Sequence, residues 1–171
     1  MVESLYITTG GGIEQAVADA LTHLGLSARR LIRQSFAEED IQVAHPNGTV
    51  VISVTASQGD ARPIKWNKAR EVLGTGVGLN PINYVCVGRP GFESLAERQA
   101  NEMARESGPR RLLLVPIPVL AEALVRWGEG RMSAEELGNF LAQERGVLTD
   151  DDLPDSRRNL GKATMQEVAV R

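Results

Sequence analysis

The stretch "DIQVAHPNGTVVISVTAS", residues 40–57, constrains the chain more than any other. Two runs rich in β-branched residues flank His45-Pro46-Asn47-Gly48, and Pro followed by Asn-Gly is strong turn chemistry. The pattern predicts a hairpin with strands at about 39–44 and 49–55. Strand side chains alternate between faces, so Asp40, Gln42 and Ala44 share one face and Ile41 and Val43 the other. Val50, Ile52 and Val54 lie opposite Val51, Ser53 and Thr55. A four-residue loop pairs position 44 with 49 and therefore Asp40 with Ser53. A tighter Asn-Gly turn pairs Asp40 with Thr55. Both registers put Asp40, Ser53 and Thr55 on one face.

Around this hairpin the chain alternates helices and strands. In "GGGIEQAVADALTHLGL", residues 10–26, Ile13, Ala16, Val17, Ala20, Leu21 and Leu24 recur at helical spacing, and Gly25 is a stop signal. "ARRLIRQS", residues 28–35, reads as a strand leading to the hairpin. "RPIKWNKAREVLG", 62–74, reads as a helix with Pro63 near its first turn. "INYVCVG" and "RRLLLVPI" are apolar enough for buried strands, the second ended by Pro116 and Pro118. "FESLAERQANEMARES", "VLAEALVRWGEG" and "SAEELGNFLAQERG" read as helices, and Ser133 with Glu136 has capping-box spacing. The order α, β, β, β, α, β, α, β, α, α implies a mixed α/β sheet with helices on both faces. A domain over 1–146 is expected, with 147–171 a polar C-terminal tail or docking segment.

Composition narrows the function classes. A net charge of −3 and 4 % aromatic residues disfavour a strongly basic nucleic-acid binder and a single-strand binder built on stacking. A single Cys86 and two histidines, His23 and His45, exclude a disulfide framework and a multi-histidine zinc centre. The chain shows no run of eighteen apolar residues and no secretory leader, so no membrane partner and a cytoplasmic location are expected.

A helix carrying Glu14, then "EEDIQV", "NGTVVISVTAS" and a helix with "KARE", resembles the PD-(D/E)xK nuclease superfamily, over about residues 10–128. The resemblance rests on element order and hairpin pattern. It implies a restriction-endonuclease-like core with a helical C-terminal extension. It also implies metal-dependent phosphodiester hydrolysis, with carboxylates holding Mg²⁺ and a lysine assisting the attacking water. On this mapping Asp40 takes the first acidic position and Glu14 the helix glutamate, the two candidate metal ligands. Ser53 and Thr55 occupy the places of the second acid and the lysine, a double departure from the motif. Lys68 or Lys65 is the candidate for a migrated lysine, with Glu71, Asp60 and Gln58 nearby.

Arg62, Lys65, Lys68 and Arg70 form a basic cluster suited to nucleic-acid phosphates; Arg29, Arg30 and Arg33 form another. Each feature also has a plainer reading. Asp40 suits a solvated acidic turn with Glu38 and Glu39, Glu14 suits the helix dipole, and Thr55 is a good strand former. Charged helix faces are usually solvated, and Cys86 reads as core. "TTGGGIE" lacks the Lys-Ser/Thr of a phosphate loop. In "VGRPGFE" Arg89 could meet a phosphate, though a strand-to-helix turn is the better reading.

The expected function is therefore a nuclease-fold subunit with an inactive metal site. It would contribute nucleic-acid contacts, to DNA rather than RNA, or assembly contacts with a protein partner or second copy in a DNA-processing or defence complex. The alternatives are an active Mg²⁺-dependent nuclease using Lys68, and a protein-interaction module docking through the helices at 117–128 and 133–144.

Overall fold

The computed structural model describes residues 1–8, 10–31, 40–57, 62–75, 79–106 and 111–155. Its centre is a six-stranded sheet in the order β1-β2-β3-β4-β5-β6, among the described residues. The strands are β1 Ser27–Arg30, β2 Ile41–His45, β3 Gly48–Ala56, β4 Asn83–Arg89, β5 Leu112–Pro116 and β6 Gly146–Val147. β1, β2 and β3 run antiparallel, and β3 to β6 run parallel. The mixed α/β sheet expected from the alternation is what forms.

The hairpin takes the first of its two expected registers. Ala44 pairs with Thr49 and His45 with Gly48, which sets Ile41 against Ile52. The turn is pinned from both ends. His45 Nδ1 accepts from the Asn47 N–H at 3.2 Å, so Nε2 carries the ring proton and meets Asn139 Oδ1 at 3.0 Å. Gly48 is required by its φ of +141°; a Cβ there would also lie 2.7 Å from Ile82.

One sheet face is covered by α1 Val2–Ile7, α2 Gly11–His23, α5 Ile117–Gly128 and α6 Ala134–Gln143. The apolar stripe of α2 puts Ile13, Val17, Ala20 and Leu21 against Val50, Ile52 and Val54. Each large side chain buried there contributes about 1.5–3 kcal/mol. α5 and α6 direct their apolar residues into the same core. The capping box of α6 forms as expected: the Glu136 N–H donates to Ser133 Oγ and the Ser133 N–H to the Glu136 carboxylate. Across α6, the buried Asn83 amide donates to the carbonyls of Leu141 and Glu144. The other face is covered by α3 Trp66–Ala69, a 3₁₀ turn Arg70–Gly74 and α4 Ser94–Arg105. Cys86 and a half-buried Trp66 pack there.

Four expectations are corrected. The helix expected over 62–74 is a four-residue α-helix followed by the 3₁₀ turn. Its first residues stay extended because the Ile64 N–H donates to Gly91 O and Ile64 O accepts from the Glu93 N–H. Pro116 ends β5, but Pro118 sits in the first turn of α5, where its missing N–H costs nothing. α1 and β6 are elements that the sequence pattern did not reveal. β6 crosses the expected boundary at 146, and Leu148 and Leu153 are buried in the main core. Arg126 holds this segment, donating to the carbonyls of Asp150 and Leu153 at 2.8 Å each, and Arg131 pairs with Asp155. The Asp155 and Glu129 carboxylates beside it raise the Arg131 pKa.

Arg33, Glu38, Glu39, Gln58, Asp60, Arg110 and residues 156–171 lie outside the described residues. Among the described residues no helix is long and apolar enough to cross a membrane.

Candidate functional site

Parallel strands leave a crevice beyond their carboxyl ends, and here β3 and β4 end side by side. A cleft of about 670 Å³ opens at that point, between the first turn of α2 and the 3₁₀ turn after α3. Five residues singled out from the sequence line it together: Glu14 from α2, Asp40 before β2, Ser53 and Thr55 from β3, and Lys68 from α3. Glu71, Thr75 and Arg89 line it as well. Arg62, Lys65 and Arg70 do not: they are exposed and outside the cleft wall. Of the expected basic cluster, only Lys68 reaches the site.

Asp40 is 2 % exposed and Ser53 8 %. The Ser53 hydroxyl donates to Asp40 Oδ2 at 3.0 Å, and the Val54 N–H donates to the same oxygen at 2.6 Å. Asp40 is therefore no solvated turn residue. Its backbone continues the hairpin ladder, with Asp40 N–H to Ile52 O and Leu31 N–H to Asp40 O. Burying a carboxylate is costly unless donors meet it, and β3 supplies two.

Glu14 is held by β1. Arg30 Nη2 donates to Glu14 Oε2 at 2.9 Å, and Arg30 Nη1 reaches Gln15. Gly11 leaves room for this, since a Cβ there would lie 3.0 Å from Arg30 Nη2. Lys68 is likewise paired, with Glu71 three residues on, and both are more than half exposed. Beneath Thr55 and Lys68 lies Cys86, opposite Ser53 in the β3–β4 ladder. Burial pushes its thiol up to about 12, with the Asp40 and Glu71 charges adding; the Thr55 hydroxyl and Lys68 oppose the shift. Burial therefore favours the neutral thiol over the thiolate.

Arg89, at the end of β4, turns Nη1 toward the carbonyls of Leu5, Tyr6 and Thr8 at 3.2, 2.8 and 2.6 Å. It fastens the end of α1 to the cleft. The Glu14–Arg30 pair, the Val54 amide and this Arg89 anchor were missed in the sequence. Each joins residues far apart in the chain or uses a backbone atom, so no local spacing signals it.

Mg²⁺ is the ion that the resemblance implies, and it takes oxygen ligands in near-octahedral geometry. Here the Glu14 carboxylate meets Arg30, Glu71 meets Lys68, and Asp40 Oδ2 already accepts two hydrogen bonds. No group of three His, Cys, Asp or Glu side chains among the described residues is placed to hold a metal ion. The arrangement does not fit a resident Mg²⁺, and no chemical step is assigned to one.

The sheet order, the helices on both faces and the cleft at the strand ends define a restriction-endonuclease-like α/β fold. The solved structure of restriction endonuclease FokI is similar, with a TM-score of 0.52 and 13 % sequence identity, over 74 % of this chain and 26 % of that one. The likeness is one of fold, and the chain spans about a quarter of FokI. No protein-family model matches the sequence, and no curated protein matches it.

Proposed function

We propose that this chain is a restriction-endonuclease-fold subunit that does not hydrolyse phosphodiesters and instead contributes nucleic-acid or assembly contacts within a DNA-processing or defence complex. One observation carries the reading: Asp40, in the first acidic position of the motif it resembles, accepts from the Ser53 hydroxyl and the Val54 amide. Ser53 and Thr55 bring no charge where the motif would have an acid and a lysine. The fold's usual association with nucleic acid supports the choice of partner, though fold alone does not establish function.

A second reading is an active Mg²⁺-dependent nuclease, favoured by Lys68 lining the same cleft as Asp40. A divalent-metal titration with single- and double-stranded DNA and RNA separates the readings, with wild type and Asp40→Asn side by side. The expected result is no cleavage, with DNA affinity that falls as salt rises. Mg²⁺- or Mn²⁺-dependent cleavage that Asp40→Asn abolishes would overturn the first reading for the second. No affinity for any nucleic acid at moderate salt would leave a protein-interaction module.

A further inference from the structure

Two cationic side chains, Lys68 and Arg89, line the cleft, and a third, Arg30, meets Glu14 of its wall. Arg30 pairs with Glu14 and Lys68 with Glu71. Arg89 has no carboxylate partner among the described residues; its recorded bonds all run from Nη1 to backbone carbonyls. Those three bonds fix the plane of the guanidinium. Nε and Nη2 have no protein partner among the described residues, and neither is sealed from solvent. Together they present a parallel pair of N–H donors, the geometry that matches two oxygens of a phosphate. Arg89 is half-buried in the cleft wall, where solvent screens a charge less than on an open surface. A cleft of about 670 Å³ is in the size range of sites for small ligands.

We propose that Arg89 forms a metal-independent subsite for a phosphate mono- or diester at the end of β4, anchored through Nη1 to α1 and binding the anion through Nε and Nη2. The proposal rests on the reading that the cleft meets nucleic acid without cleaving it, and names the contact. It sets Arg89, rather than the exposed Arg62, Lys65 and Arg70, as the side chain that determines affinity.

The test uses the full chain in EDTA with two probes: inorganic phosphate, followed by NMR titration, and a short 5′-phosphorylated oligodeoxynucleotide, followed by fluorescence anisotropy. Wild type is compared with Arg89→Gln and Arg89→Lys. Lysine keeps a charge and a donor for the α1 carbonyls but lacks the paired donors, so it carries the test if the glutamine variant fails to fold. Both probes are expected to bind wild type without metal, and affinity is expected to fall about tenfold or more in either folded variant. Oligonucleotide affinity unchanged in Arg89→Lys would overturn the subsite and leave the nucleic-acid reading standing. Phosphate binding that depends on Arg89, with no oligonucleotide binding, would uphold the subsite and remove that reading. No binding of either probe would overturn both.

Discussion

Ser53, on β3, donates its hydroxyl at 3.0 Å to Oδ2 of Asp40, the residue just before β2, and the next amide along β3, that of Val54, donates to the same oxygen. The side chain that the resemblance sets in the place of a second acid therefore serves Asp40 as a hydrogen-bond donor. The carboxylate of Asp40 becomes part of what holds the two arms of the hairpin together.

Asp40 should thus be a stability residue. Asp40→Ala removes the charged acceptor that the Ser53 hydroxyl and the Val54 amide meet. We expect a loss of about 3 kcal/mol, and about half that for Asp40→Asn, which keeps an acceptor oxygen. Urea unfolding checks this through the shift of midpoint at constant slope. Both variants matching wild type would mean that the hydrogen bonds to Asp40 contribute nothing net.

Cys86 gives the folded protein a pH dependence of known sign. Its thiol ionises at about 12 when folded, against 9.0 for the unperturbed group. Between these values the unfolded chain has lost a proton that the folded chain keeps. Stability from this group is complete below pH 9 and falls as pH rises toward 12, by about 1.4 kcal/mol per unit. Cys86→Val, which retains an apolar side chain, should flatten that part of the stability profile. The native thiol should also resist alkylation at pH 8. Rapid labelling of the folded protein would contradict the burial.

Arg126 should determine whether residues 148–155 stay on the core. It is 4 % exposed and bonds Glu122, Asp150 O and Leu153 O. Arg126→Met keeps the apolar stem but leaves the two carbonyls without their donor. The expected cost is about 2–4 kcal/mol. Limited proteolysis should cut the variant faster within 148–155. An unchanged cutting rate would show that Leu148 and Leu153 suffice to hold the segment.

What was legible in the sequence was what local periodicity and turn chemistry encode. The Pro-Asn-Gly turn and strand alternation placed Asp40, Ser53 and Thr55 on one face, and the resemblance grouped Glu14 and Lys68 with Asp40; all five line one cleft. α1 stayed hidden because its six residues bury only Leu5, too little for a periodic signal. β6 is two residues long and pairs only through its backbone. The break in the helix over 62–74 follows from a bridge between Ile64 and Phe92, a long-range contact that overrides local propensity. The same holds for charge: Arg30 read as one of a basic cluster and Arg89 as a loop residue, and their bonds to Glu14 and to the end of α1 form only when β1 meets α2 and β4 meets α1.

Ser53→Asp tests whether the cleft can be given a metal-dependent state. The new carboxylate would stand within hydrogen-bond distance of Asp40 Oδ2 in place of a donor, at a position only 8 % exposed. Two like charges so close repel, and the lost hydroxyl leaves the Val54 amide as the remaining β3 donor. In EDTA the variant should lose about 2–4 kcal/mol. A divalent cation bridging two carboxylates would offset the repulsion, so Mn²⁺ or Mg²⁺ should raise the melting temperature of the variant while leaving wild type unmoved. Thermal unfolding of both proteins in EDTA and in each metal reads this directly. A variant as stable as wild type in EDTA would show that the floor of the cleft is wetter than its burial indicates. An equal metal shift in wild type would show that Asp40 already holds a cation and that Ser53 is no obstacle to it.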